Sequence, residues 1–334
     1  MTGMTHALPL FFALVVAFGI LVYVVADGFD LGIGILFPFA PGHEERDLMM
    51  NSIAPVWDGN ETWLVLGGTL LLGAFPPVYA QMLPSFYLPV MVMLFALVFR
   101  GLAFEFRFRA PRFRGLWDWA FCLGSAVAAL MQGMMLGSFI DGVPASGGAG
   151  GWRFVTGFGI ACGFGVLAGY ALLGATWLIL KVDGTAQSFA RRAAGLALLL
   201  TLVFIAAISI LTPLIHTAIA HRWFSLPNLY YLSPVPIITA LLGLLIWRAI
   251  PGKREAMPFL LTIALFLLAY SGLGISLWPY AIPNRMTIWQ AAAPAPVLTF
   301  LAVGTIVLVP IILLHLAYGH WVFRGKTKAE FYGE

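Results

Sequence analysis

Charge is what this sequence has least of. Only 10% of its 334 residues are Asp, Glu, Lys or Arg, where a water-soluble domain carries about a quarter. With 61% hydrophobic residues and a mean hydropathy of +0.95, a soluble globular fold is excluded. Cysteine is almost absent too. Cys122 and Cys162 both lie in apolar segments, which rules out a disulfide framework or a metal-ligand spacing and leaves two small buried side chains. No Gly-rich phosphate loop follows a strand, and no Ser-His-Asp set is present. No basic region precedes the first apolar run, so that run is read as a retained helix and not a cleaved signal peptide. Histidine is sparse: His6 and His43 fall in a tail and a loop, and His216, His221, His315 and His320 form no repeated pair that would hold a haem. They are read as interfacial hydrogen-bonding groups.

What the chain has in abundance is apolar length. Nine segments approach the roughly 20 residues that cross a bilayer core: Leu8–Phe37, Pro55–Phe75, Tyr79–Phe104, Trp117–Ile140, Phe154–Leu180, Ala193–Ile215, Ser233–Trp247, Met257–Leu277 and Pro294–Tyr318. The expectation is an all-α polytopic membrane protein, a single integral domain over 1–334 with a tail from 319. Four helices (8–140), four more (154–277) and one at 294–318 fit two four-helix bundles plus a peripheral helix. The connection Ser146–Gly151 reads as a flexible outer loop. Glycine pairs at helical spacing, Gly28/Gly32, Gly159/Gly163 and Gly165/Gly169, are expected to bring helix backbones close together. Trp57, Trp63, Trp117, Trp119, Trp278, Trp289 and Trp321 sit mostly at span ends, as in an aromatic belt.

The net charge of +4 does not point to nucleic acid, because the basic residues are sorted about the membrane. Fourteen of the 18 Lys and Arg residues fall in alternate connections and the tail, beginning with Arg46 and the run Arg107, Arg109, Arg112 and Arg114. Arg153, Arg222 and Arg285 occupy the other connections, and Arg100 lies inside the third span. Positive residues stay cytoplasmic, so the N-terminus is expected outside and the C-terminus inside, a parity that an odd number of spans requires.

Acids inside spans are costly and usually functional. Asp27 and Asp30 are three residues apart on the first span, and so are Asp58 and Glu61 on the second. Asp27 falls about 19 residues, hence ~29 Å, beyond Leu8, near the cytoplasmic edge, and Asp58 is about one turn into the next helix. The four acids therefore share a depth. Desolvation and mutual repulsion oppose ionising them all, and Arg100, with Glu105 beside it at the same depth, is expected to face them and hold part of the group charged. From the residues alone two readings stand: a proton or ion path, or helix capping and pairing with arginine. Asp118 and Asp141 at span ends are read as interfacial.

The string Asp27-Gly-Phe-Asp-Leu-Gly-Ile-Gly34 and the string Asn51-Ser-Ile-Ala-Pro-Val-Trp-Asp-Gly-Asn60, followed by Glu61-Thr62-Trp63, resemble motifs of subunit II of cytochrome bd-type, or cyanide-insensitive, quinol oxidases. Phe99-Arg100 with Glu105, Trp117-Asp118-Trp119, Met286-Thr-Ile-Trp289, Val309-Pro-Ile-Ile-Leu-Leu314 and Val322-Phe-Arg-Gly-Lys326 extend the resemblance along the whole chain, more loosely in the second half.

That resemblance implies a bacterial inner-membrane complex that oxidises quinol and reduces oxygen to water. Haem b and haem d, together with the quinol-oxidising loop, would lie on a haem-bearing subunit I, and a small single-helix subunit joins some complexes. The resemblance further implies that Asp58, Asp30, Asp27 and Glu61 contribute to a cytoplasmic proton path, Asp58 more firmly than Glu61 because the family varies at the latter. In some members a quinone fills a groove in this subunit. The competing reading is a proton-coupled secondary transporter, whose inverted repeats and broken mid-membrane helices are not evident here.

Overall fold

The computed structural model describes residues 2–142 and 152–328. The Gly-rich connection Ser146–Gly151 and the tail beyond 328 lie outside the described residues. The chain is helical almost throughout: α1 (Thr2–Leu36), α2 (His43–Asn51), α3 (Trp57–Ala74), α4 (Pro76–Ser85), α5 (Tyr87–Arg109), α6 (Arg114–Asp141), α7 (Gly157–Lys181), α8 (Gly184–Ile215), α9 (Thr217–Phe224), α10 (Asn228–Leu232), α11 (Pro234–Ala249), α12 (Ala256–Leu277), α13 (Ile288–Ala291) and α14 (Ala295–Val322). One short antiparallel hairpin, β1 (Tyr280–Ile282) with β2 (Met286–Thr287), follows α12.

Among the described residues eight helices are long and apolar enough to cross a membrane. The segment expected as the second span forms the 18-residue α3, which is not among the eight; Asp58, Asn60 and Glu61 crowd its first turns. The expected third span, from Tyr79, divides. Pro76 and Pro77 open α4, Pro84 lies near its end, and the chain turns at Phe86 before α5 begins. A proline cannot donate to the preceding turn and obstructs it, so one long helix does not form here. Helix α8 starts nine residues before the expected Ala193, because the first turns, with Gln187, Arg191 and Arg192, are helical but too polar to read as a span.

One end of the bundle gathers the basic connections. There Arg107 reaches Asp47 of α2, Thr185 of α8 donates to Glu45, Gln187 donates to Glu255, and Lys181 of α7 donates to the carbonyl of Phe323. At the opposite end Asp141 accepts from Thr156 and lies 3.2 Å from His216.

Helix α7 is the centre of the packing. The apolar core joins residues of α1, α5, α6, α7, α8 and α12 in one cluster, and glycines set its closest approaches. A Cβ on Gly174 would come within 2.5 Å of the backbone of Gly32, and one on Gly32 would strike the backbone of Tyr170, so α1 and α7 meet backbone to backbone. Gly133 and Gly137 of α6 meet Gly163 and Gly159 of α7 in the same way. Of the expected pairs, Gly32 and Gly159/Gly163 bring backbones together, as small residues permit in lipid, whereas Gly165 and Gly169 face the side chains of Ile208, Phe204 and Phe266.

Candidate functional site

The basic end of the bundle contains a buried ionic cluster. Arg100 lies nine residues before the end of α5, about 14 Å inside by helix rise, and its side chain is fully buried. One guanidinium nitrogen, Nη2, donates to Asp27 Oδ1 at 2.9 Å and lies 3.5 Å from Asp30 Oδ2. The other, Nη1, donates to Glu61 Oε1 at 2.5 Å. The planar fork of an arginine matches this division between two elements, which a lysine could not span. The guanidinium carbon lies 5.3 Å from the Trp57 ring and 5.6 Å from the Phe104 ring, beside the pair, which stack on each other 4.8 Å apart. Cation–π contact offsets part of the cost of burying the charge.

Asp27, Asp30 and Arg100 are fully buried, while the Glu61 side chain keeps 27% of its surface exposed. Glu61 is therefore the point where the cluster reaches the surface. Asn60, which the motifs alone did not single out for a role, completes it. Its amide donates to Asp30 Oδ2 at 2.8 Å and to the Ala26 carbonyl at 3.3 Å. The only signal for it was a polar side chain in the first turns of an apolar helix.

Two expected members stand apart. Glu105 is an exposed residue paired with Arg109 at 3.2 Å, and does not join Arg100. Five residues of helix rotate it about 140° from Arg100, so sharing a depth did not mean sharing a face. Asp58 is exposed, and the Thr62 hydroxyl donates to its backbone carbonyl; it sits one turn before Glu61 on the outer side of the cluster and is not a direct partner of Arg100. Trp63, expected in the belt, is fully buried with its ring edge-on to Phe18.

A second ionic group lies nearer the end of the bundle and was not anticipated. Arg107 is fully buried and pairs with Asp118 at 2.5 Å and Asp47 at 2.6 Å; Arg46 reaches Asp118 at 3.0 Å, and Arg114 also pairs with Asp47. Asp118, expected to be interfacial, is thus a buried counter-ion that ties α2, α5 and α6 together.

No histidine is presented for haem ligation among those described. His320 Nδ1 is 2.9 Å from the Leu316 carbonyl, with its ring against Phe29 and Trp177, His216 faces Asp141, and His221 and His315 lie on the surface. Among the described residues no group of three His, Cys, Asp or Glu side chains could hold a metal ion. The described histidines do not form a pair that fits a haem.

Comparison with known proteins gives concordant matches. The family model for cytochrome bd terminal oxidase subunit II matches residues 8–323. The chain is 31% identical to cytochrome bd-I ubiquinol oxidase subunit 2 of Escherichia coli (strain K12), covering 92% of each, and 26% identical to cytochrome bd ubiquinol oxidase subunit 2 of Bacillus subtilis, covering 90% of this chain and 91% of that one. Among solved structures, a chain of the bd oxidase from Geobacillus thermodenitrificans superposes with a TM-score of 0.76 at 18% identity, over 96% of this chain and 100% of that one.

Proposed function

The chain belongs to the cytochrome bd terminal oxidase subunit II family, and from that premise we propose that its Arg100 cluster passes protons from the cytoplasm toward the oxygen-reducing haem of its partner. As subunit II of a bd-type quinol oxidase, a multi-pass protein of the bacterial inner membrane, it supports a haem-bearing subunit I that holds the redox centres. Every electron delivered to oxygen requires a proton, and protons need ionisable groups to cross an apolar core. The observation that carries the proposal is the bridge made by Arg100, which joins the part-exposed Glu61 to the fully buried Asp27 and Asp30. In this reading Asp58 gathers protons at the surface, Glu61 admits them, and Asp27 and Asp30 hold them while Arg100 keeps the group from neutralising completely. Glu105 stays outside the path.

The orientation belongs to the same proposal. The basic end faces the cytoplasm by the positive-inside rule, which leaves the N-terminus outside and the C-terminus inside. Nine crossings support this. Helix α3 begins at the basic end and α5 finishes there, so the chain must cross between them, and 18 residues of α3 rise about 27 Å. The grouping is helices α1, α3, α5 and α6, then α7, α8, α11 and α12, with α14 peripheral. The family resemblance supports haem b and haem d on subunit I, quinol as reductant, a quinone groove in some members, and a small single-helix subunit.

Buried arginine pairing also favours a second reading, in which the cluster only holds α1, α3 and α5 together. Asp58→Asn in the assembled oxidase separates the two, because Asp58 takes no part in that pairing. The path reading expects normal haem content with slowed oxygen uptake and a smaller membrane potential. Unchanged uptake and potential would remove Asp58 from the path and favour the reading in which the cluster only pairs the helices.

A further inference from the structure

The two ionic groups at the basic end share no member. Among the described residues Arg100 pairs with Asp27, Asp30 and Glu61, and Arg107 with Asp47 and Asp118. Four aromatic rings run between the two groups. Trp57, the first residue of α3, stacks on Phe104 of α5 with ring centres 4.8 Å apart and planes 1° from parallel. Phe104 meets Phe121 of α6 edge-on at 5.2 Å, and Phe121 meets Phe37, just past the end of α1, edge-on at 4.9 Å. A cation stands at each end of this row. The Arg100 guanidinium carbon lies 5.3 Å from the Trp57 ring, and that of Arg107 lies 5.1 Å from the Phe37 ring.

Helix geometry puts the row between the Arg100 cluster and the basic end. Trp57 is one turn before Glu61 on α3, which starts at that end, and Phe104 is one turn beyond Arg100 on α5, which finishes there. Phe37 and Phe121 are fully buried and Phe104 is 4% exposed, while Trp57 is part-exposed. A Cβ on Gly101, the residue after Arg100, would already touch the Trp57 ring at 3.5 Å, so the space between that ring and α5 is too narrow for water. Beyond the row, the Arg107 group is open to the surface through the part-exposed side chains of Asp47, Arg46 and Arg114. Acids so near to water would give protons a second way in. A proton needs ionisable groups or a file of water to cross an apolar region, and close-packed rings hold neither.

We infer that Trp57, Phe104, Phe121 and Phe37 form a water-excluding layer that shuts the Arg100 cluster off from the Arg107 group and leaves Glu61 as its entry. Trp57, at the open edge of the layer, is the positioning residue that closes it. The inference rests on the proton-path reading for its consequence, because only a cluster that carries protons needs its second approach closed.

The test compares oxygen uptake per haem in the assembled oxidase. Glu61→Gln blocks the entry and is expected to slow uptake by about a hundredfold, the low end of what a positioned proton-transferring group contributes. Adding Trp57→Ala removes the ring at the edge of the layer and leaves room for water, about 30 Å³ per molecule, beside the Arg100 guanidinium. The double variant is expected to recover most of the loss. Trp57→Phe in the same background keeps a ring in place and is expected to stay slow. Phe104→Ala opens the other half of the stack and carries the test if Trp57→Ala fails to assemble. A double variant as slow as Glu61→Gln alone overturns the layer, as does equal recovery with Trp57→Phe. Normal uptake in Glu61→Gln itself defeats the path reading. The exclusion of water is then judged by amide hydrogen exchange over residues 101–104 of α5: faster exchange in Trp57→Ala than in Trp57→Phe upholds it, and equal exchange overturns it.

Discussion

Replacing Arg100 by methionine tests the cluster most directly. Methionine fills a similar volume beside Trp57 and Phe104 but removes what is, among the described residues, the only cation within 4.0 Å of Asp27, Asp30 and Glu61. Asp27 and Asp30 have no exposed surface, so water cannot replace the guanidinium without opening the α1–α3–α5 contact. Breaking one side of a buried ion pair costs ~3–5 kcal/mol, because the remaining charge is left uncompensated. That is roughly two to nearly four powers of ten in an equilibrium constant, against a total stability of about 5–15 kcal/mol. The expected result is a large loss of assembled complex and a lowered midpoint for thermal loss of haem in detergent. Arg100→Lys should fall between, since one ammonium cannot donate as the separate nitrogens do to Glu61 and Asp27. Adding Asp27→Asn and Asp30→Asn to Arg100→Met should recover much of the loss, because the stranded charges are then gone, and the recovery appears as coupling between the sites. An Arg100→Met complex with an unaltered haem-loss midpoint would refute the reasoning, as would a triple variant no better than the single one.

Other outcomes are expected elsewhere. Gly32→Ala would place a methyl group into the backbone of Tyr170; overpacking of this kind costs typically 1–3 kcal/mol, and expression and thermal stability should fall, whereas Gly115→Ala, which meets nothing within 4 Å, should be silent in the same measurements. Ending the chain after Phe323 removes Lys326, which donates to the Val182 carbonyl at 3.0 Å, and Thr327, whose amide donates to the Lys181 carbonyl at 2.8 Å. The end of α7 then loses its caps, and hydrogen exchange there should speed by about tenfold per lost bond. The same strap should loosen in acid. The hydrogen bonds from Lys326 and then Gln187 hold the Glu255 carboxyl below its ordinary value. A lowered native value stabilises above the unfolded one, about 4.3, and that contribution is lost as pH falls through the lowered value. Protection of the Thr327 amide, measured against the intrinsic exchange rate at each pH, should therefore fall only below about pH 4; a fall near neutrality would sever the link to Glu255.

Much of the architecture was legible along the chain because the cost of burying backbone and charge in lipid is local. Each apolar stretch must be helical on its own account, so eight of the nine expected spans are helices long and apolar enough to cross a membrane, α3 being the exception, and the third is shortened by the proline break between α4 and α5. The arginines mark one end by themselves, and the acids of α1 and α3 declare their depth through helix rise. The glycine pairs likewise announced close packing.

Rotation was not legible in the same way. Asp58 and Asn60 are neighbours in one motif, yet Asn60 is fully buried against Asp30 while Asp58 is exposed; two residues of helix turn a side chain by about 200°, and only packing decides which one turns inward. The same holds for Arg100 and Glu105 on α5. Asp118 looked interfacial because nothing local shows that Arg107, eleven residues earlier, folds back on it. The sequence by itself determined the helices, the basic end and the presence of acids inside the membrane boundary, since those follow from residue type and spacing. Which acids share Arg100, and that Gln132 joins Tyr23 to Tyr170, was decided by the tertiary structure, because the Gly32–Gly174 contact and its neighbours fix the angle at which each helix faces the next.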